Sequence, residues 1–174
     1  MATGSILLSP SAAVLPDGST NNLACGVSMR QGTQTGAKAH FPTLDFDGAG
    51  SLEGCHYQFR LPANYSSGGT LKLLWMANTT TAANVKWQAE IGAVTPADAD
   101  TPLEHAFAAA ATVTTGVNTT EANRLIESSI TLTTDSWAAG DWVDMYLFRD
   151  SADAADTAAV DASVLMSVIE YTTA

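Results

Sequence analysis

The sequence has few charged residues, and very few of them are positive. Only 14% of its 174 residues are Asp, Glu, Lys or Arg, and 7 bases against 18 acids give a net charge of −11 at pH 7. Affinity for nucleic acids and for anionic lipid requires clustered Lys and Arg. The bases here are scattered singly, so we expect neither a nucleic acid nor a membrane as a partner. They are Arg30, Lys38, Arg60, Lys72, Lys86, Arg124 and Arg149.

Long apolar runs and cysteines are also scarce. No segment approaches the ~18 consecutive apolar residues of a membrane helix. Residues 1–18 lack the basic start and the long apolar stretch of a secretory signal peptide, which predicts synthesis in a cytoplasm. The two cysteines, Cys25 and Cys55, leave two alternatives open: a pair of free thiols, or a disulfide if the strands bring them together.

Sequence patterns that carry catalysis or hold metals are missing. The three histidines, His40, His56 and His105, share no H-x-x-x-H spacing, and neither a C-x-x-C pair nor a G-x-S-x-G elbow occurs. The acidic segment RDSADAADTAAVDA, residues 149–162, is more typical of a solvated turn than of a calcium or magnesium site. We therefore predict no enzymatic activity, no catalytic residue, no metal and no cofactor.

What the sequence does contain, from Ala37 onward, is a series of strand patterns separated by turn residues. Segment 84–94, NVKWQAEIGAV, shows the clearest alternation of apolar and polar residues. Segment 105–115, HAFAAAATVTT, is ambiguous, because its Ala run favours a short helix whereas Thr-Val-Thr-Thr favours a strand. Seven to nine short strands without alternating helices predict an all-β fold, an antiparallel β-sandwich with the jelly roll as its expected form. The other strand patterns are 39–46, 54–61, 70–77, 124–132, 140–150 and 162–171.

The first 36 residues differ from the rest. They are rich in Gly, Ser, Thr, Asn and Gln and show little periodicity. We predict an extended N-terminal arm, residues 1–36, followed by a β-sandwich domain, residues 37–174. The arm has three alternatives: to lie over the chain's own domain, to lie over a neighbour, or to be disordered.

Two C-terminal strand patterns are apolar on both faces. In GDWVDMYLFRD, residues 140–150, aliphatic side chains alternate with aromatic ones. In ASVLMSVIEY, residues 162–171, strict alternation places Val164, Met166 and Val168 on one face. The opposite face is also apolar, with Leu165, Ile169 and Tyr171. One face of each strand suits the core, and the other needs a second cover from the chain's own loops, the N-terminal arm or a neighbouring subunit.

We predict that this cover is a neighbouring subunit, so that the chain forms a homo-oligomer. Asp144 lies among the aromatic residues of the first pattern, and we expect it at a strand edge in water, because a buried carboxylate needs a hydrogen-bonding partner. The candidate interface residues are Trp142, Met145, Tyr146, Leu147 and Phe148.

Three segments resemble a group of phage virion proteins. FRLPANYSSGGTLKLLWMANTTTAANVKWQAEIGAV is similar to a segment of that group in which LP..Y..G.L.L...W.A precedes a V.W strand. AFAAAATVTT and AAGDWVDMYLFRDSADAADTAAVDASVLMSVIEY are similar to its AF...TVT and AGD.V...L.RD..D..DT...DA.L..V.I.Y stretches. The resemblance covers roughly residues 57–171. It implies a jelly-roll or β-sandwich structural protein of a tailed-phage virion, with no catalytic residues.

Proteins of this group include trimeric capsid decoration (cement) proteins as well as parts of tails and fibres. The absence of shaft repeats favours decoration of the head. The resemblance then implies two partners, the major capsid protein and further copies of the chain in a homotrimer. Its location would be the virion, after synthesis in the host cytoplasm. The alternative is a tail-associated or fibre-associated module that binds a receptor or glycan, with Tyr65 and Trp137 as aromatic platforms. Single aromatic residues in turns also serve as packing plugs.

Overall fold

A computed structural model describes residues 2–19, 23–32, 35–50, 52–98 and 102–174 of the chain. Apart from one 3-10 turn at Pro10–Ala12, the regular structure in these ranges is all β. None of its helices is long and apolar enough to cross a membrane. The strands are β1 Thr3–Leu8, β2 Leu23–Ala24, β3 Gly26–Gln31, β4 His40–Phe46, β5 Leu52–Arg60, β6 Tyr65–Ala77, β7 Asn84–Val94, β8 Ala111–Gly116, β9 Ile126–Thr131, β10 Trp142–Asp150 and β11 Ala162–Thr173.

The strands form two sheets that pack face to face. Sheet A has the order β3-β4-β11-β6-β9, with β1 paired to the C-terminal half of β11, and sheet B has the order β2-β5-β10-β7-β8. Every pairing is antiparallel except the short one between β2 and β5. The orders β4-β11-β6-β9 and β5-β10-β7-β8 are those of a jelly roll. The predicted antiparallel β-sandwich is therefore confirmed.

The core lies between the sheets and contains the apolar residues that alternation placed inward. On β7, Val85, Trp87, Ala89 and Ile91 are at most 1% exposed. Trp87 contacts Trp75 of the opposite sheet edge to face, with ring centroids 5.6 Å apart. Edge-to-face aromatic pairs contribute about 1 kcal/mol beyond the burial of their area.

A β-bulge in β11 changes which of its side chains face the core. Val164 pairs with Trp75, but Met166 pairs with Leu74, so β11 advances two residues while β6 advances one. The extra residue reverses the alternation. The prediction that Val164, Met166 and Val168 share a face is therefore wrong: Val164 is buried, whereas Met166 points outward and is 38% exposed.

The three strands within residues 1–36 line the edges of both sheets. β1 pairs with β11, β3 pairs with β4, and β2 pairs with β5. Val14 adds an isolated bridge to His56. Of the alternatives for the arm, the described parts follow the first and lie on the chain's own sandwich. Residues 1, 20–22 and 33–34 are outside the described ranges. The division into two units at residue 36 stays a prediction.

Segment 105–115 is a strand only from Ala111, and its described residues contain no helix. Residues 105–110 run beside β7, where the Ala108 N–H donates to the Ile91 carbonyl at 2.8 Å. β8 then continues the pairing, with Ala111 opposite Ala89. The Ala run thus forms backbone hydrogen bonds with a neighbouring strand instead of within itself.

A buried arginine holds the loop between β10 and β11. Arg149 is 0% exposed, and its guanidinium makes two hydrogen bonds to the Asp156 carboxylate, at 2.8 and 2.9 Å. Its remaining N–H groups donate to the carbonyls of Phe46, Ala158 and Val160. The expectation of a solvated acidic turn is therefore wrong for Asp156, which is an internal counter-ion. Removing one partner of such a pair typically costs 3–5 kcal/mol.

Candidate interaction surfaces

The five predicted interface residues lie on opposite faces of β10, the central strand of sheet B. Met145 and Leu147 are 0% exposed and belong to the core between the sheets. They cannot contact another subunit while the sandwich is intact, so the prediction is wrong for these two. Trp142, Tyr146 and Phe148 occupy the outer face.

The outer face of sheet B is covered in its middle by the chain's own aromatic rings. Tyr146 stacks on Phe148 with centroids 4.9 Å apart, and on His56 at 4.7 Å. The Tyr146 ring lies across Gly54, where an added Cβ would be 2.3 Å from the ring. Burial raises the pKa of Tyr146 to about 12. We call the four rings of Tyr146, Phe148, His56 and Phe107 the B-face cluster.

Phe107 completes the B-face cluster from the segment before β8. Its ring lies against Gly92, where a Cβ would come within 2.8 Å, and its centroid is 6.2 Å from that of His56. Glycine on each neighbouring strand of β10 therefore allows a ring to lie flat on the sheet. The sequence pattern did not identify Phe107 as part of this surface. Gly92 was the available signal, because a glycine inside a strand pattern often marks a site where another group approaches the backbone closely.

Asp144 is paired rather than solvated. Its carboxylate lies 3.0 Å from Nδ1 of His56, and the two side chains are 14% and 23% exposed, respectively. The expectation of a water-exposed strand edge was wrong because β10 lies between β5 and β7.

A cleft of about 470 Å³ opens at the end of sheet B beside Trp142. Val94, Pro96 and Leu103 supply apolar walls, and Asp98 also lines the cleft. Leu103 is 62% exposed. One aromatic ring, apolar walls and a nearby carboxylate can hold a ligand that combines an apolar face with hydroxyl groups.

The outer face of sheet A is less well covered. Leu7 of β1 is 64% exposed and lies opposite Val168 of β11, while Met166 lies opposite the half-buried Leu74. We call these four residues the A-face patch. Lys72, Glu127 and Glu170 surround a small cleft of about 210 Å³ beside it. Lys72 is paired with Glu127 at 3.3 Å.

A second group of exposed apolar side chains follows the edge of the sandwich at β2 and β3. Leu23 is 38% exposed, Val27 58% and Met29 64%. β3 is the terminal strand of sheet A, so one side of its backbone has no strand partner among the described residues. We call these three residues the β3 edge.

Trp137 and Tyr65 form a packed pair rather than exposed platforms. Trp137 is 4% exposed, and its indole N–H donates to the Tyr65 hydroxyl at 2.7 Å. The Trp137 ring also packs against Phe59 and lies over Gly69. The structure thus places these two aromatic residues in packing roles.

The three histidines have different surroundings. His40 is exposed, His56 pairs with Asp144, and His105 Nε2 lies 2.9 Å from Asp135 Oδ2. That hydrogen bond raises the pKa of His105. Within the described ranges, no three His, Cys, Asp or Glu side chains are grouped so that they could hold a metal ion.

Comparison with known proteins identifies no relative by sequence: no family model and no curated protein matches the chain. Solved structures with similar folds include the C-terminal CBM6 of LamC, a marine laminarinase from Zobellia galactanivorans (TM-score 0.45, 7% identity, 95% of this chain and 98% of that chain). Another is the CBM36-1 domain of a multidomain xylanase from the hindgut metagenome of Trinervitermes trinervoides (TM-score 0.41, 8% identity, 95% and 96%).

An arabinose-bound GH51 α-L-arabinofuranosidase is also similar in structure (TM-score 0.44, 12% identity). There the match spans 84% of this chain but only 22% of that enzyme. With every TM-score below 0.5, these likenesses do not bear on the function of the chain.

Proposed function

We propose that the chain is a structural protein of a tailed-phage virion that associates with copies of itself and decorates the head. The sequence resemblance supports the virion assignment. The observation that carries the assembly role is the presence of two separate apolar regions, the A-face patch and the β3 edge, whose side chains are exposed or half-buried in the part of the chain that the structure describes. Single exposed apolar residues are ordinary, but grouped ones mark interaction sites.

The A-face patch suits contact with a second copy. The chain has a net charge of −11, so two copies repel each other unless they meet at a nearly neutral surface. Beside the patch, one lysine, Lys72, stands against two glutamates, Glu127 and Glu170, which amounts to a local charge of −1. Four aliphatic side chains without any buried charge can pack against the same patch of another subunit.

The β3 edge is then available for contact with the capsid shell. A decoration protein needs one contact for its own oligomer and another for the capsid, and the chain offers two that do not share residues. Binding only to the assembled shell stabilises that shell by mass action. An oligomer that presents several β3 edges adds avidity. No catalytic step is part of this role.

The test is the copy number of the chain in purified particles, measured by quantitative mass spectrometry against the major capsid protein. Hundreds of copies per particle are expected for a head decoration protein. A handful to a few dozen would place the chain on the tail and overturn the proposed role.

Two matched variants separate the two contacts. Val27→Glu in the β3 edge should abolish rebinding to heads depleted of the protein while leaving the oligomer intact. Met166→Glu in the A-face patch should dissociate the oligomer and weaken rebinding through lost avidity. If Val27→Glu rebinds like the parent chain, the β3 edge is not the shell contact.

A second candidate function, binding of a host glycan, is favoured by the cleft at Trp142. The Trp142 ring and the apolar walls suit the C–H face of a sugar ring, and a carboxylate, Asp98, also lines the cleft. A glycan array followed by titration of any hit tests this role. Trp142→Ala should lose binding, whereas Leu125→Ala, a control on an exposed residue that does not line the cleft, should retain it. Absence of any hit, together with high copy number on heads, removes this candidate.

A further inference from the structure

The two cysteines are brought face to face by the short parallel pairing of β2 with β5. Leu23 lies opposite Glu53 and Ala24 opposite Gly54. Continuing this register by one residue places Cys25 opposite Cys55, and the Cys25 N–H donates to the Gly54 carbonyl at 3.0 Å. Adjacent strands lie about 4.8 Å apart, within the Cα separation of roughly 4.4–6.8 Å that disulfides span.

The two side chains share one environment. Cys25 is 2% exposed and Cys55 is 0% exposed, and both belong to the core. Both are free thiols in this structure. The pKa of Cys55 is raised, first by a hydrogen bond with the Cys25 thiol and then by burial.

We propose that Cys25 and Cys55 are a disulfide site that closes when the protein meets an oxidising environment. Cys25 lies where the chain leaves β2 of sheet B and enters β3 of sheet A. Cys55 lies within β5, which is held along its length by β10. The bond would link the connection between β2 and β3 covalently to β5 of sheet B. It would thereby also restrain the β3 edge.

The reaction is thiol–disulfide exchange with a small disulfide such as oxidised glutathione. The thiolate of one cysteine attacks the oxidant, whose S–S bond breaks and releases one glutathione thiolate. The second cysteine, after losing its proton to solvent, attacks the protein sulfur of the mixed disulfide and releases the second glutathione thiolate. Two protein thiols are thereby oxidised to one disulfide, and the oxidant's disulfide is reduced to two thiols.

The fold determines when this exchange can occur. Buried thiols are protected from an oxidant as large as glutathione, so the first attack requires β2 to separate from β5. That separation breaks few contacts, because β2 contains only two residues. The cysteines should therefore stay reduced in a thiol-rich cytoplasm and form the bond slowly after release into an oxidising medium.

Formation of the bond should stabilise the chain. It would close a loop that contains β3 and β4, and cross-links over loops of this size restrict the unfolded chain. The midpoint of thermal unfolding should rise on the order of 10 °C for a protein of this length.

The experiment compares the wild-type chain with Cys25→Ala and Cys55→Ala. Each protein is unfolded and refolded in a buffer of reduced and oxidised glutathione at mildly alkaline pH, and its intact mass is then measured under denaturing, non-reducing conditions. The wild type should lose about 2 Da, the mass of two hydrogens, and carry no free thiol. Each single variant should instead carry either one free thiol or one glutathione.

A second readout keeps the test independent of how well the variants fold. The oxidised wild type should unfold at a higher temperature than the same protein after reduction, whereas reduction should not lower the unfolding temperature of either single variant. Two outcomes would overturn the proposal: a refolded wild type that retains two free thiols or two glutathione adducts, or oxidation that yields only disulfide-linked dimers.

Discussion

The outer faces of β10 and β11 differ in how far the chain's own side chains cover them, although the two strands have similar sequence patterns. Each strand is the centre of its sheet and carries apolar side chains on both faces. On β10, Tyr146 and Phe148 are covered by rings from the same chain, and Asp144 is paired with His56. On β11, Met166 remains exposed.

The difference follows from the neighbouring strands. β10 is flanked by Gly54 and Gly92, over which aromatic rings lie flat, and the segment before β8 adds Phe107. β11 has aliphatic side chains on its outer face, opposite Leu7 and Leu74, and no ring covers them in the described structure. A strand that is apolar on both faces therefore does not by itself predict an interface, because the chain's own rings cover the second face of β10.

The largest contrast is expected between a core leucine of β10 and an exposed leucine of the A-face patch beside β11. Leu147→Ala removes a fully buried core side chain and should cost about 3 kcal/mol of unfolding free energy. Leu7→Ala, at a 64% exposed site, should change the unfolding free energy of the monomer by less than about 0.5 kcal/mol. Urea titration followed by circular dichroism measures both. Equal effects would contradict the assignment of Leu147 to the core.

The same reasoning predicts that Leu147→Lys unfolds the chain instead of dissociating an oligomer, because an unpaired ammonium group would enter the core. A folded Leu147→Lys variant with reduced native mass would contradict the placement of β10.

A medium-sized effect is expected from opening the B-face cluster. Gly54→Ala would place a Cβ 2.3 Å from the Tyr146 ring, so the ring must move away from the sheet. We expect a loss of about 1–3 kcal/mol and greater solvent exposure of Tyr146, detected by tyrosine absorbance. Gly116→Ala is the matched control, since its Cβ would meet only an ordinary contact at 3.6 Å. If both variants behave alike, the ring does not depend on glycine at position 54.

The smallest effect concerns pH. His105 anchors the segment that carries Phe107, through its hydrogen bond to Asp135. Because the folded pKa of His105 is raised above the ordinary value of 6.5, its contribution to stability is fully present below that value and is lost as pH rises through the folded pKa. Thermal melts between about pH 5.5 and about pH 8.5 should show this decline in the wild type and less of it in His105→Gln. A decline of equal size in both proteins would assign it to another group.

Local patterns were enough to predict much of the sandwich, because alternation in segments such as 84–94 directly reports which side chains face the core. The bulge in β11 was not predictable from them: one unpaired residue reverses the faces of Met166 and Val168, and no glycine marks the position. The burial of Asp156 was equally hidden, since only the fold brings Arg149, three carbonyls and this one acid together. The cover over β10 was missed because Phe107 is distant in sequence and directly precedes an Ala run, residues 108–111, whose structure was ambiguous.

The central claim is that the A-face patch, and not the outer face of β10, joins copies of the chain. Native mass spectrometry of the wild type beside Met166→Glu and Trp142→Glu tests it most directly. We predict a wild-type mass that is a multiple of the chain mass, three for the expected trimer, the mass of a single chain for Met166→Glu, and an unchanged multiple for Trp142→Glu. A wild-type monomer, or an oligomer that persists in Met166→Glu but dissociates in Trp142→Glu, would contradict the account.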